Sequence, residues 1–246
     1  MSSLQITGLR TLPEVGAGAD LSRLIVDATQ KEAAGLQTGD VVVVTQKVVS
    51  KAEDRIVDLR TVKPSAFAKS LAQQWEKDPR QVEVILRETR RIVRMDQGVL
   101  IMETHHGFVC ANAGVDRSNV PGDDNVSLLP VDPDRSAEEI RRGLGVEAAV
   151  IISDTFGRPW REGTTEVAIG VAGMDPLWDY RGRRDAYGYV LRSTEVAVAD
   201  MLASAAGLVM EKASRVPVAI VRGFPFETGE GGGRRLLRAP TKDLFR

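Results

Sequence analysis

Four consecutive valines, Val41, Val42, Val43 and Val44, constrain this chain more than any other feature. β-Branched side chains are stiff at χ1 and suit a pleated surface. An unbroken apolar run of this kind, entered through Gly39-Asp40, reads as a buried strand. The strand then delivers a polar segment, Thr45-Gln46-Lys47 followed by Ser50-Lys51.

Around that strand the pattern is mixed. Asp20 is placed to cap a helix in which Leu21, Leu24, Ile25 and Ala28 share a face, with Gly35 as the stop. Pro64 opens a second helix carrying Phe67, Leu71 and Trp75 on one face. Asp78-Pro79 caps and starts a third, with Val82, Ile85 and Leu86 inward. Residues 99–103 and 107–112 read as strands joined by His105-His106-Gly107, and a polar loop, 114–125, follows. Ser136-Ala137-Glu138-Glu139 has the form of a capping box and predicts a short helix. Residues 146–153 predict a strand that ends at Asp154. A longer helix is expected over 194–212, with Val198, Met201, Leu202, Ala205, Leu208 and Val209 as its apolar stripe, and a last strand over 216–221. The glycines of segment 229–233 mark a flexible approach to the tail. Strands and helices do not alternate strictly, so a doubly wound sheet is not compelled. The expected class is α+β, with no linker dividing residues 1–246.

The formal net charge of −1 supplies no global field to recruit nucleic acid or an acidic membrane, although arginines cluster at 87–94, 181–184 and 234–238. Cys110 is the single cysteine, which excludes an internal disulfide and suits a reducing compartment. Within Phe108-Val109-Cys110-Ala111 it reads as a small buried hydrophobe. The first residues lack the basic-then-apolar pattern of a signal peptide, and no apolar run approaches the ~20 residues of a membrane span. A cytoplasmic protein is expected.

Familiar nucleotide motifs are absent. There is no G-x-x-x-x-G-K-[ST] sequence, and Gly16-Ala17-Gly18 does not complete G-x-G-x-x-G. Two histidines, His105 and His106, with one cysteine do not make a four-ligand zinc site, nor is there a nucleophile elbow for a triad. Oxygen chemistry remains. Asp116 lies in Gly114-Val115-Asp116-Arg117-Ser118-Asn119, and Asp154 in Ser153-Asp154-Thr155-Phe156-Gly157-Arg158. Carboxylates and hydroxyls at strand ends suit hard cations such as Mg²⁺ or Mn²⁺, which bridge phosphate oxygens. Lys51, Arg158 and Arg161 are candidates to balance the remaining phosphate charge. The alternative is that both aspartates are ordinary turn residues.

At these segments the chain resembles the coenzyme F420-0:γ-glutamyl ligase family. The matching stretches are Leu12-Pro13-Glu14-Val15, Val43-Val44-Thr45-Gln46-Lys47-Val48-Val49-Ser50-Lys51-Ala52-Glu53, and Ala111-Asn112-Ala113-Gly114-Val115-Asp116 through Asn119. They continue with Ser153-Asp154-Thr155-Phe156-Gly157-Arg158-Pro159-Trp160-Arg161-Glu162-Gly163, Ala168-Ile169-Gly170-Val171-Ala172-Gly173, Asp179-Tyr180-Arg181-Gly182 and Asp243-Leu244-Phe245-Arg246. The resemblance implies a mixed fold particular to that family, neither P-loop nor Rossmann. It implies a GTP-dependent ligase that joins L-glutamate to the lactyl carboxylate of coenzyme F420-0 and then adds γ-linked glutamates. It also implies two divalent ions (Mg²⁺ or Mn²⁺), K⁺ and a homodimer. By position, Asp116, Asp154 and Thr155 match metal ligands, and Leu12, Pro13, Glu14, Val15, Gln46, Lys51 and Asn119 match GTP contacts. Catalytic roles fall to Lys51, Asp116 and Asp154. Gln46 stands where relatives often carry Ser or Thr, so a backbone contact is expected there. Lys212 replaces an amide ligand, and a protonated lysine does not ligate. The flavin-binding domain of the fusion relatives is absent, so no FMN chemistry is expected. The competing readings are a metal-dependent phosphohydrolase on a nucleotide or small phosphate ester, and a non-catalytic nucleotide-binding regulator.

Overall fold

In a computed structural model that describes residues 3–211 and 214–244, the valine run forms β2 (Val41–Thr45) with all four valines fully buried. Val42 and Val44 point into one apolar cluster, Val41 and Val43 into another on the opposite face. A strand buried on both faces belongs inside a sheet, and β2 is the middle of five. Its neighbours are β12 (Val218–Arg222), which leads outward to β1 (Gln5–Leu9), and β8 (Ala149–Arg158), which leads to β9 (Arg161–Ala172). Only β2 and β8 run parallel.

One face of the sheet is covered by α1 (Leu21–Glu32), α2 (Gln46–Ala52) and α5 (Pro133–Gly143), the other by α6 (Val198–Gly207). The first turn of α5 presses on β9 so closely that a Cβ on Gly170 would lie 2.3 Å from the carbonyl oxygen of Pro133. At the same place Asp134 accepts from Val171 N (2.9 Å) and Gly233 N (2.6 Å). β9 also carries one extra residue, Ile169, between the pairs Ile152↔Gly170 and Ser153↔Ala168. The amide freed by this bulge, Ala168 N–H, donates to Asp200 Oδ1 at 2.9 Å.

A second region packs around Leu59, Ile85, Leu100, Met102 and Val126. It contains β3 (Ile56–Asp58) paired with β7 (Asn125–Ser127), and the antiparallel sheet of β4 (Thr89–Asp96), β5 (Val99–Thr104) and β6 (Val109–Ala111). Helices α3 (Ala66–Gln74) and α4 (Pro79–Arg87) lie beside it, and β10 (Trp178–Asp179) pairs with β11 (Glu195–Val196). The α+β class holds. Among the described residues, no helix is long and apolar enough to cross a membrane.

Several expectations are corrected. The polar segment after β2, for which the sequence assigns no element, is helix α2. Ser65, not Pro64, caps α3, and Phe67 is exposed while Ala68, Leu71 and Ala72 face inward. α5 starts earlier than the capping-box reading, because Asp132 caps it from Arg135 N and Pro133 takes the first helical position. Ser136 instead sits inside the helix and donates to Glu53. α6 ends at Gly207, Met201 and Leu208 are exposed, and Lys212 lies outside the described residues, as do Phe245 and Arg246. The 229–233 segment is no flexible tail: Gly232 N–H donates to Val171 O (2.9 Å), and Gly233 is buried against β9. β8 does not stop at Asp154 but continues to Arg158 as an arm paired with β9.

Candidate active site

α2 places Lys47 and Lys51 four residues apart, hence on one face of the helix. Each meets a carboxylate. Lys47 Nζ donates to Asp116 Oδ2 at 2.5 Å and to the Ser118 carbonyl at 2.7 Å, and Lys51 Nζ donates to Glu14 Oε1 at 2.5 Å. Asp116 is held further by Ser118 N–H (2.9 Å) and Ser118 Oγ (2.6 Å), while its backbone pairs with Ser127. The approach to it is unusual. Asn112 (φ 54°), Ala113 (φ 51°) and Gly114 (φ 75°) are successive left-handed residues, closed by Val115 N–H donating to Asn112 O at 2.9 Å. Left-handed backbone is costly for residues with a Cβ and persists only where surrounding packing enforces it. Here Ala113 and Val115 are buried, and the turn sends Asp116 outward.

β8 supplies the other carboxylate. Successive strand side chains point to opposite faces, so Asp154 and Thr155 diverge. Asp154 shares its face with Phe156, which packs edge-on against Phe108. Thr155 shares its face with Ser153, and both hydroxyls donate to Glu166 across the hairpin, Thr155 Oγ1 to Oε1 at 2.5 Å and Ser153 Oγ to Oε2 at 3.0 Å. The resemblance grouped Asp154 with Thr155. In the structure their side chains leave opposite faces of β8, yet Asp154 accepts from Thr155 N–H at 2.8 Å and feels the charges of Glu166, Lys47 and Asp116, while the Thr155 hydroxyl bonds to Glu166.

Burial pushes the Asp154 carboxyl up to about 7; its bond from Thr155 N–H pulls it down, the Glu166 charge pushes it up, Lys47 pulls it down and Asp116 pushes it up. Asp116 shifts the other way. Burial raises it, but the bonds from Lys47 and Ser118 together outweigh burial and lower it. Lys47 thus neutralises Asp116, whereas Asp154 meets net negative surroundings. Cys110 is buried, and burial with the nearby Asp154 charge pushes its thiol up to about 12. A thiol reagent is therefore expected to label the native protein at pH 8 only as fast as it opens. Rapid stoichiometric labelling would contradict the inert-hydrophobe reading.

The remaining candidates scatter around this centre. Val15 is buried and Leu12 partly so, both in the α1 cluster, while Pro13 and Glu14 are exposed. The Gln46 side chain is buried, and its Oε1 accepts from Ser50 Oγ at 2.9 Å. Asn119 is exposed on the Asp116 loop with φ 55°. Arg158, expected to balance phosphate charge, folds back onto the Glu162 carbonyl (2.7 Å) at the exposed hairpin tip, where Arg161 is exposed as well; the cation on Asp116 is Lys47. His105 and His106 bond to the backbone carbonyls of Arg87 and Pro130. Sequence reading missed Lys47 and Glu166 as site residues. The four-residue lysine spacing was a usable signal for Lys47. Glu166 had none, because its place depends on the β8–β9 register.

Among the described residues, no three His, Cys, Asp or Glu side chains are placed to hold a metal ion by themselves. The donor set is nonetheless all hard oxygen: two carboxylates, Asp116 and Asp154, and the Thr155 hydroxyl. Mg²⁺ is commonly held by one or two carboxylates with substrate phosphates completing the shell, so these donor types suit such ions, with Asp154 and Thr155 offering theirs on opposite faces of β8.

Residues 8–223 match the family model described as F420-0:Gamma-glutamyl ligase. The chain belongs to the F420-0:gamma-glutamyl ligase family. Relatives named coenzyme F420:L-glutamate ligase run alongside nearly its whole length. The protein of Methanothermobacter thermautotrophicus is 49% identical over 251 residues, covering 99% of both chains. That of Methanopyrus kandleri is 48% identical over 255 residues, covering 100% of this chain and 99% of its own. The Methanocaldococcus jannaschii protein is 44% identical over 216 residues, or 86% of each chain. The F420-0:gamma-glutamyl ligase assignment therefore spans both the Asp116 loop and the β8–β9 hairpin.

Proposed function

We propose that this protein is a GTP-dependent ligase that forms an amide between L-glutamate and the lactyl carboxylate of coenzyme F420-0, then adds γ-linked glutamates. Near-full-length identity of 49% to a coenzyme F420:L-glutamate ligase carries this reading. A carboxylate does not condense with an amine at neutral pH without activation. In the proposed route the substrate carboxylate oxygen attacks the γ-phosphorus of GTP, the bond to the β,γ-bridging oxygen breaks, and GDP leaves. The glutamate amine then attacks the acyl phosphate, loses a proton to solvent, and phosphate departs.

Asp116, Asp154 and Thr155 would hold two divalent ions, Mg²⁺ or Mn²⁺. When bound, such ions neutralise charge on the transferring phosphoryl group. The chain's own part is positional. Lys47 keeps Asp116 ionised and fixed, the β8–β9 pairing fixes Asp154 and Thr155, and Lys51 offers a mobile positive charge to phosphate oxygens once it leaves Glu14. The same reading takes the active form as a cytoplasmic homodimer aided by K⁺.

The decisive assay combines protein, coenzyme F420-0, GTP and glutamate, with products resolved by mass. One added glutamate residue per GDP and phosphate is expected. GTP hydrolysis that ignores glutamate would point to a phosphohydrolase, and GTP binding without turnover to a regulator. Lys51→Ala is expected to lower kcat/KM for GTP at least ~10-fold, the worth of a hydrogen bond to a charged group. An unchanged value would remove Lys51 from the nucleotide site.

A further inference from the structure

Glu166 is the best-built side chain near the candidate site that no motif assigns. It stands directly opposite Thr155 in the β8–β9 ladder. Both of its carboxylate oxygens accept from neutral hydroxyls two residues apart on one strand, Thr155 at 2.5 Å and the fully buried Ser153 at 3.0 Å. Helix α6 holds it from the other side. Ser204 Oγ donates to the Glu166 carbonyl at 2.8 Å and bonds to Thr165 Oγ1 at 2.9 Å. Gly207 opens a notch for it, since a Cβ there would lie 2.8 Å from Glu166 Cγ.

This geometry has a chemical consequence. A hydroxyl that gives its proton to a carboxylate keeps both lone pairs, and they point away from that carboxylate. A carboxylate partner also makes the oxygen a better donor to a cation, as outer partners of metal ligands do. Because Glu166 accepts only from neutral hydroxyls in this pair of bonds, its charge is not cancelled by them and reaches whatever sits beside Thr155.

We infer that Glu166 is a positioning residue of the ligase, orienting the Thr155 hydroxyl so that its oxygen lone pairs face a divalent cation on the α6 side of β8. The inference rests on the reading of Thr155 as a metal ligand. The Thr155 hydroxyl differs in this from the Asp154 side chain, which leaves the opposite face of β8.

The test is Mn²⁺ binding by the full chain with GTP present, read from the electron paramagnetic resonance signal of the free ion. Glu166→Gln is expected to weaken Mn²⁺ at least ~10-fold, as loss of an outer-shell carboxylate does. Thr155→Val should weaken it as much, and Glu166→Gln added to Thr155→Val should weaken it no further, because Glu166 acts through Thr155. Unchanged affinity in Glu166→Gln, or additive losses in the double variant, overturns the inference while leaving the proposed reaction standing. No Mn²⁺ binding by the unaltered chain overturns both. If melting shows that Glu166→Gln is poorly folded, Ser153→Ala, which removes the other hydroxyl that holds Glu166, carries the test: a weakening of Mn²⁺ binding that disappears in the Thr155→Val background supports the role, and unchanged affinity overturns it.

Discussion

Asp154→Asn is expected to cut ligation by at least ~10²-fold, the usual cost of losing one group that stabilises transition-state charge. The fold should survive, and in metal-free buffer the variant should even gain stability. Asp154 is half-buried with desolvation and the charges of Glu166 and Asp116 acting on it, so its folded-state carboxyl lies at about 7, well above the ordinary 3.8. The native state therefore keeps this proton to higher pH than the unfolded chain does. Stability falls as pH rises from about 4 toward about 7, and the penalty is fully present above that. Asparagine carries no charge and escapes it. Metal-free Asp154→Asn should melt above the unaltered protein at pH 8, and the two should converge near pH 4. Turnover close to that of the unaltered protein would remove Asp154 from the metal site, and a lower melting temperature at pH 8 would contradict the electrostatic account.

The largest loss of stability is expected from Asp40→Ala. Asp40 is 1% exposed and accepts from Arg222 Nε (2.8 Å) and Nη2 (2.7 Å), as well as from Gln37 N–H (2.8 Å). Arg222 also donates to the carbonyls of Ala33 (3.2 Å) and Gly35 (2.8 Å), so one guanidinium ties the end of α1 to the entry of β2 and the end of β12. Removing Asp40 leaves the Arg222 guanidinium, 24% exposed and still held by two carbonyls, without its carboxylate, which costs about 3 kcal/mol, the low end for a buried pair. For a chain of this size that is roughly 10 °C in Tm. Arg222→Met in the Asp40→Ala background should recover part of the loss, since no charge is then left without its partner. Thermal melts of both variants check this, and a Tm within about 2 °C of the unaltered protein for Asp40→Ala would refute it.

That ion pair shows where sequence reading stops. Gly39-Asp40 was legible as a turn and the valine strand as buried, because both signals are local. The α4 cap at Asp78-Pro79, the helix after Asp20 and the strand ending in Val221 were legible for the same reason. Nothing local announces that Asp40 waits for an arginine 182 positions away. The arm of β8 beyond Asp154 was misread because its apolar pattern ends at Ile152 while its hydrogen-bond ladder does not. β4 was hidden in a run of arginines that face solvent or Glu103. In the site, Asp116 and Asp154 stood out by their surroundings, but the division of Asp154 from Thr155 became visible only with the strand's alternation. Glu166 required the pairing register itself.

The bulged residue Ile169 of β9 acts as a phase shifter. On the inner side of Ile169 the hairpin keeps the register of the sheet, with Ile152 opposite Gly170, and on the outer side it keeps a second register, with Thr155 opposite Glu166. Carrying the inner register outward would set Glu166 opposite Phe156, facing the wrong layer of the molecule. Deleting Ile169 would thus throw the arm out of register and also remove a fully buried core side chain, whereas inserting whole pairs at the exposed Pro159-Trp160 tip would leave both registers in place. Core and chemistry share one continuous hairpin, yet each is indexed separately, so either can drift in sequence without dragging the other out of step.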